Sequence, residues 1–222
     1  MVLDRQLGVS GELVLRRQGR HHELVVDGTF LMDTRDGRSE RLLARCALDA
    51  AARPRRVLVG GLGLGFTLAE VLADPRVERV IVAELEPVLV GWHRRFLRGL
   101  TGAALADPRT TVHVGDVVQL IASAPPASWD AVCLDVDNGP DWLARPQNAR
   151  LYGPAGVRDL ARTLDPAGAL AVWSAHPAPH LQARLREVFA HVRVLLPESR
   201  TSRPDWVVVA GTPDPAAASK RA

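Results

Sequence analysis

Three closely spaced glycines form the feature of the sequence with the clearest chemical meaning. Gly61, Gly63 and Gly65 follow the apolar run Val57-Leu-Val and precede a segment with the residue pattern of a helix. Glycines at a strand-to-helix turn let a ligand lie against bare backbone, near the N–H groups of the helix N-terminus. The dinucleotide fingerprint needs its third glycine one position later, where Phe66 stands, so the spacing argues against NAD. Such a turn can also be only a tight connection.

Acidic residues follow the next three predicted strands, each at the point where the strand ends. Glu84 lies 19 residues past the last glycine of the turn, and an acid at this place in doubly wound folds accepts hydrogen bonds from ribose hydroxyls. Asp116, Asp135 and Asp137 follow the two strands after that. Because ligands of open α/β sheets bind along the carboxyl edge, we expect these side chains to line one cleft. Two alternatives stay open: Glu84 or Glu86 could be a solvated strand end, and Asp116 could cap the following helix.

The elements that must position these residues alternate between strands and helices from residue 56 onward. The predicted strands cover residues 56–60, 80–84, 111–114, 131–135, 169–174, 192–195 and 206–210, with helices in most of the gaps. Near-continuous apolar strands are typical of a mostly parallel sheet that is covered on both faces, and the last two strands fit an antiparallel pair. The sequence therefore predicts an α/β, Rossmann-like, doubly wound fold with a seven-stranded sheet.

A smaller β segment precedes this region. Residues 11–33 have the pattern of short strands, with turn signals at Gln18-Gly19 and Asp27-Gly28. Residues 38–52 have the apolar spacing of a helix, which Pro54 ends. We expect residues 1–52 to form a lid segment with a connecting helix, residues 53–211 to form a nucleoside-binding domain, and residues 212–222 to be a disordered tail.

The composition excludes several classes of protein. With 222 residues, of which 47% are hydrophobic and 24% charged, the chain is neither fibrous nor disordered. No apolar stretch is long enough to cross a bilayer and no signal-peptide pattern is present, so we expect a cytoplasmic protein without a membrane partner. The net charge of +3 lies in the N-terminal quarter of the chain, but basic and acidic residues alternate throughout, which argues against a nucleic-acid partner. No motif has the spacing of a zinc or calcium site, so we expect no metal.

In order and spacing these motifs resemble the nucleoside-binding motifs of the class I S-adenosylmethionine-dependent transferases, and more narrowly those of the spermidine synthases. The general likeness rests on Gly61-x-Gly-x-Gly65, Glu84, Gly115-Asp116 and Asp135. The narrower likeness rests on Leu68-Ala-Glu-Val71, Ala83-Glu-Leu-Glu86, Asp107-Pro-Arg109 and Asp135-Val-Asp-Asn-Gly-Pro140. The N-terminal β segment, with Val26-Asp-Gly28 and an acid near Glu40, is similar to the small lid domain of that family. The resemblance covers about residues 11–175.

The resemblance implies a role for each of these residues. The three glycines would face the methionine-derived part of the nucleoside donor, Glu84 would hold its ribose and Asp116 its adenine amino group. Asp135 would be the catalytic acid/base. Two positions depart from the pattern of the family. Leu64 stands where the family has an Asp that holds the amine of the aminopropyl arm, and Leu31 stands in place of a Gln in the lid.

The acidic loop after residue 134 supplies the candidate substrate-binding residues. Asp137 or Asp141 could attract the second ammonium group of a diamine by charge. Trp142 could wall the pocket and face a cation, although an indole beside a Pro-rich loop can also be simple packing.

We therefore expect a spermidine synthase-like aminopropyltransferase that moves an aminopropyl group from decarboxylated S-adenosylmethionine to an amine such as putrescine. Two alternatives stay open. One is a methyltransferase that uses intact S-adenosylmethionine, which Leu64 favours slightly, and the other is a non-catalytic member that binds a nucleoside or acts through partners. The expected partner is a small-molecule amine. A homodimer is a further alternative, since strands of the lid could pair with the edge of another subunit.

Overall fold

The first 33 residues form a sheet of their own in the computed structural model, which describes residues 1–101, 103–143, 145–197 and 205–213. Its antiparallel strands, in spatial order, are β1 (Val2–Gly8), β2 (Gly11–Gln18), β3 (His21–Val26) and β4 (Thr29–Asp33). Both predicted turns are confirmed. Asp27 and Gly28 have positive φ values of 47° and 76°, the two-residue hairpin geometry that this dipeptide favours. The sequence pattern does not predict β1, because this strand is mostly exposed and lacks a regular apolar alternation.

The second sheet has seven strands in the spatial order β10-β11-β9-β8-β5-β6-β7. These strands are β5 (Arg56–Gly60), β6 (Arg79–Glu84), β7 (Thr110–Val114), β8 (Trp129–Leu134), β9 (Leu164–Ser174), β10 (Phe189–Leu195) and β11 (Trp206–Pro213). The five strands from β9 to β7 pair in parallel, whereas β11 is antiparallel to both of its neighbours. The predicted doubly wound fold is confirmed.

Helices cover both faces of this sheet. They are α1 (Arg38–Ala50), α2 (Phe66–Ala73), α3 (Pro87–Arg95), α4 (Val117–Ser123), α5 (Ala149–Tyr152), α6 (Pro154–Thr163) and α7 (Pro179–Arg186). Alternate strand residues enter different apolar clusters: Val57 and Val59 pack with α1 and α2, whereas Leu58 packs with α4 and α6. Because successive strand side chains point to opposite faces, burial on both faces explains the continuous apolar strands. None of the helices in the described part of the chain is both long and apolar enough to cross a membrane.

A third apolar cluster joins the two sheets. It combines Leu13, Leu15 and Leu24 of the small sheet with Leu64, Phe66, Leu89, Trp92 and Leu97 of the larger unit. The small sheet therefore packs directly against the glycine turn and α3.

The C-terminal boundary differs from the expectation. The last strand continues through Thr212 to Pro213, where the sequence pattern predicts the start of a tail. The rest of that predicted tail, residues 214–222, lies outside the described residues.

Candidate active site

A cavity of about 1160 Å³ lies at the carboxyl ends of the parallel strands, with the small sheet forming its opposite wall. Most of the candidate site residues line it: Gly61, Gly63, Glu84, Asp116, Asp135, Asp137 and Trp142. Two candidates, Gly65 and Asp141, are not among its lining residues. Gly65 is the N-cap of α2, and Asp141 is exposed on the loop after β8. The sheet edge therefore gathers the acids that end different strands, as the parallel topology requires.

The glycine turn has a backbone that only glycine adopts easily. Gly61, Gly63 and Gly65 have φ values of 89°, 49° and 85°, all in the left-handed region. At Gly61 an added Cβ would lie 2.1 Å from the carbonyl oxygen of Asp135, so the turn passes directly against the end of β8. His93 of α3 supports the turn, because its Nε2 donates a hydrogen bond to the Gly63 carbonyl oxygen at 2.8 Å. Its burial lowers the His93 pKa and favours the neutral ring.

Leu64 is turned away from the cavity. Its side chain is 1% exposed and packs in the apolar cluster between the small sheet and α3. It does not line the cavity. The Leu at position 64, where the family has an Asp, therefore packs the glycine turn against the N-terminal sheet by apolar contact. No carboxylate projects from this position.

Glu84 is held by main-chain N–H groups on both oxygens. Its Oε2 accepts a hydrogen bond from Leu62 N at 2.9 Å, and its Oε1 accepts one from Glu86 N at 2.8 Å. Burial raises the pKa of Glu84, whereas the two main-chain hydrogen bonds oppose that rise. Each oxygen keeps a lone pair for a further donor, so the carboxylate is oriented to accept hydrogen bonds from a diol. Glu86 is equally buried, and neither residue is the solvated strand end that the sequence left open.

Asp116 serves as the N-cap of α4. Its Oδ1 accepts a hydrogen bond from Val118 N at 2.8 Å. Capping uses one oxygen of the carboxylate, and the residue still lines the cavity. The capping and ligand-binding interpretations of this residue are therefore compatible.

Asp135 lies in a group of acidic side chains with Glu40, Asp137 and Asp205. It is half-buried, and its pKa is raised well above the ordinary value by burial and by the negative charges of Glu40, Asp205 and Asp137. Burial also raises the pKa values of Glu40 and Asp205. The Ser39 hydroxyl donates to Glu40 Oε2 at 2.7 Å. The same hydroxyl lowers the pKa of Asp205, against the larger effect of burial. Within the described ranges, Glu40, Asp135 and Asp205 form no salt bridge with an Arg, Lys or His side chain.

Asp137 is a buried, hydrogen-bonded carboxylate and not a freely accessible anion. It is 7% exposed, and its oxygens accept hydrogen bonds from Asn148 Nδ2 and Tyr152 Oη, each at 2.9 Å. Burial and the neighbouring Asp137 raise the pKa of Tyr152 well above its ordinary value. Asp137 therefore lines the cavity as a rigid, hydrogen-bonded carboxylate.

Trp142 forms part of the rim of the cavity. Its side chain is 60% exposed, and its ring is stacked on His176 with centroids 6.0 Å apart and planes 1° apart. The indole therefore both lines the cavity and packs against a neighbouring ring.

Comparisons with known proteins agree with this geometry. The family model described as "Spermine/spermidine synthase domain" matches residues 38–193. The chain belongs to the spermine/spermidine synthase family.

Relatives of known name cover part of the chain. The polyamine aminopropyltransferase of Mycobacterium tuberculosis (strain ATCC 25618 / H37Rv) is 34% identical over 170 residues, 75% of this chain and 31% of the relative. Putrescine N-methyltransferase 3 of Nicotiana tabacum is 32% identical over 123 residues, 52% of this chain and 32% of the relative. The chain thus spans about a third of the length of these two relatives.

Solved structures show the same fold. The spermidine synthase of Thermotoga maritima superimposes with a TM-score of 0.81 at 19% identity, covering 95% of this chain and 72% of that one. At this identity the likeness establishes the fold, including the N-terminal sheet, and not the activity.

Several cavity residues of this spermine/spermidine synthase family member are absent from the sequence-based set. Asp205 belongs to the acidic group, and Ser39 is hydrogen-bonded to Glu40 of that group. The cavity is also lined by Asp33, Asp36, Arg145 and Trp173. Asp205 precedes β11, and this strand lies beside β9 only because the chain inserts its last strand there. No local motif marks such a residue, so only the topology could have identified it. Glu40, which the resemblance indicates as the acid of the lid, also belongs to the acidic group around Asp135.

Proposed function

We propose that this protein is an aminopropyltransferase that moves the aminopropyl group of decarboxylated S-adenosylmethionine to a polyamine such as putrescine. The observation that carries the proposal is the group of Glu40, Asp135 and Asp205, carboxylates without a salt bridge among the described residues. Negative charge that no salt bridge among the described residues offsets raises the pKa of each acid and favours a bound polycation. Protonated diamines and the sulfonium donor are both cations.

The other half of the cavity supports an adenosyl donor. Gly61 and Gly63 present bare backbone to the cavity, and Glu84 is oriented there to accept from ribose hydroxyls. Asp116 keeps one oxygen for the adenine amino group while the other caps α4. These contacts would place the sulfonium between the glycine turn and Asp135.

The reaction itself needs one proton acceptor. A neutral amine nitrogen of the acceptor attacks the carbon attached to the sulfonium, the new C–N bond forms, and the C–S bond breaks with its electron pair going to sulfur. The sulfur leaves as a neutral thioether, so the leaving group needs no acid. The new ammonium proton, or the proton lost before the attack, passes to Asp135. A carboxylate with a raised pKa is a better acceptor for this proton than an ordinary one.

The direct test is a transfer assay with purified protein. Decarboxylated S-adenosylmethionine and putrescine are supplied together, and spermidine and the thioether nucleoside are measured by chromatography. We expect equal amounts of the two products, and we expect Asp135→Asn to lose nearly all activity. Asp49→Asn is the matched control, because Asp49 is an exposed carboxylate on α1 outside the cavity. No spermidine from the wild-type protein, or full activity of Asp135→Asn, would refute the proposal.

Leu64 supports a second candidate, methyl transfer from intact S-adenosylmethionine. Because its side chain is buried in an apolar cluster, the glycine turn offers no carboxylate to the amine of an aminopropyl arm. Calorimetry with the two donors separates the candidates. A preference of about tenfold, or ~1.4 kcal/mol, for the decarboxylated donor supports aminopropyl transfer. The reverse preference supports the methyltransferase.

A further inference from the structure

Glu86 connects the N-terminal sheet to the nucleoside side of the cavity. Its Oε2 accepts a hydrogen bond from Val9 N at 2.8 Å, and its Oε1 accepts one from Ser10 N at 2.7 Å. Val9 and Ser10 are the two residues of the turn between β1 and β2. The Glu86 residue is 7% exposed, and no basic side chain in the described ranges forms an ion pair with it. The two N–H groups of the turn therefore supply most of the hydrogen bonding that this buried charge requires.

The position of Glu86 makes this arrangement informative. It is the N-cap residue of α3, where an acidic side chain commonly hydrogen-bonds the N–H groups of its own helix. Its side chain makes no such capping bond. Both oxygens contact a turn that lies 76 and 77 residues earlier in the chain. The side chain therefore serves the contact between the two sheets and not the helix.

The turn fits closely against this carboxylate. A Cβ added to Gly8 would lie 2.3 Å from Glu86 Oε2 and 2.3 Å from Leu13 Cδ1. A larger residue fits at position 8 only if the turn moves or the ends of the Glu86 and Leu13 side chains shift. The contact can therefore be disturbed from either side, at Glu86 or at Gly8.

The main chain of Glu86 extends the contact to the ribose-binding candidate. Its N–H donates to Glu84 Oε1 at 2.8 Å, and Glu84 Oε2 accepts from Leu62 N of the glycine turn. A continuous series of hydrogen bonds thus runs from the β1–β2 turn through Glu86 and Glu84 to the glycine turn. Ser10, Glu84 and Glu86 all line the cavity.

We propose that Glu86 is a positioning residue for the adenosyl ligand, because it couples the N-terminal sheet to the orientation of Glu84. If the β1–β2 turn moves away, the buried Glu86 carboxylate loses both donors and shifts toward water. Its N–H, which orients Glu84, shifts with it. The N-terminal sheet then contributes to the nucleoside site through the main chain of its first turn. The identity of the ligand rests on the proposed function.

The test compares two disturbing variants with a control. Glu86→Gln removes the charge and leaves only one acceptor oxygen for two N–H donors. Gly8→Ala crowds the contact between the turn and the Glu86 carboxylate without changing Glu86 itself, and it also serves if Glu86→Gln does not fold. Asp4→Ala is the control: Asp4 Oδ2 accepts from Trp92 Nε1 at 2.8 Å, which also ties β1 to α3, but Asp4 does not line the large cavity.

The first readout is the affinity for 5′-methylthioadenosine, measured by calorimetry. We expect both disturbing variants to bind it about tenfold more weakly, the effect of one lost charge-assisted hydrogen bond. In the transfer assay the KM for the donor should rise similarly, while kcat changes by less than about twofold and the KM for the amine is unchanged. Asp4→Ala should lower the Tm and leave the affinity unchanged.

The second readout is amide hydrogen exchange, which needs no ligand. The Val9 and Ser10 amides should exchange faster in Glu86→Gln than in the wild type, and the nucleoside should slow their exchange in the wild type only. Wild-type protein that binds no adenosyl compound would overturn the proposed function and this inference together. Normal binding by the wild type with unchanged affinity in both variants would overturn only this inference. A loss of kcat at constant KM would also overturn it, because that pattern reports fewer folded molecules.

Discussion

The two halves of the cavity hold their carboxylates in different ways. On the side proposed to bind the nucleoside, Glu84 and Asp116 each accept main-chain N–H hydrogen bonds that fix their orientation. On the side proposed to bind the amine, Glu40, Asp135 and Asp205 lie together without a salt bridge among the described residues. The first half is ordered before any ligand arrives. The second stores electrostatic repulsion that a bound cation relieves, so stability and function oppose each other there.

The largest effect is expected from the centre of the amine side. Asp135→Asn should lower kcat by about 10²–10⁴-fold, the usual contribution of a general base. The same variant should be more stable than the wild type at pH 7, because it removes a buried charge that receives no hydrogen bond from the described side chains. Differential scanning calorimetry checks the second expectation, with an upward shift in Tm of about 2–4 °C for each kcal/mol gained.

The pH dependence of that gain follows from the sign of the pKa shift. The pKa of Asp135 is raised in the folded protein. The contribution of Asp135 to the stability is therefore fully present below the pKa that this residue has in the unfolded chain. That contribution is lost as the pH rises through the pKa of Asp135 in the folded protein. The advantage of Asp135→Asn should therefore vanish in acid, where the wild-type residue is protonated in both states. A variant that is less stable than the wild type at pH 7 would contradict the contrast between the two halves.

The next largest effect concerns the apolar support of the nucleoside side. Leu64→Ala removes most of a fully buried side chain from the cluster between the sheets, and it should cost about 2–5 kcal/mol of stability. Urea unfolding measures this loss. Leu64→Asp should be worse still, because it buries a charge in an apolar cluster. If Leu64→Asp folded normally and bound the decarboxylated donor more tightly, position 64 would face the ligand and the structural assignment would be wrong.

A smaller effect is expected for the ribose contact. Glu84→Gln keeps the shape of the side chain but replaces one acceptor oxygen with an NH₂ group. This group cannot accept a hydrogen bond from the main-chain N–H or the ribose hydroxyl that it then faces. We expect adenosyl ligands to bind about tenfold more weakly by calorimetry. Glu70→Gln, on the outer part of α2, should bind as the wild type does. Equal affinities of the two variants would remove Glu84 from the nucleoside site.

The smallest effect is a displacement of the pH profile. The negative charge of Glu40 helps raise the pKa of Asp135, so Glu40→Gln should lower that pKa. In the proposed mechanism the reaction requires Asp135 in its deprotonated form, so kcat/KM should rise with pH through the pKa of this base. The acid limb of the profile should therefore move to lower pH in Glu40→Gln and stay in place in Asp49→Asn. A limb that moves to higher pH would show that the two charges do not interact as proposed.

Local sequence patterns were sufficient for the main architecture and for half of the site. The acids that end β6, β7 and β8 follow apolar strands directly, and parallel strands bring their carboxyl ends to one edge. The positive φ values of the glycine turn likewise explain its composition. Six of the nine candidate residues line the cavity for this reason, and Trp142 lines it from the loop after β8. The two exceptions are Gly65, which is the N-cap of α2, and Asp141, which is exposed on the loop after β8.

The sequence by itself determined the order of the strands and helices, the glycine turn and the strand-end acids, because each of these is encoded by neighbours within a few residues. Only the tertiary structure decided that Asp205 joins Glu40 and Asp135, that Leu64 faces the N-terminal sheet, and that Glu86 contacts a turn 76 and 77 residues away. The physical reason is that these contacts depend on where the chain inserts β11 and on how the N-terminal sheet packs against the glycine turn and α3. Packing depends on the whole topology, and no short stretch of sequence carries it.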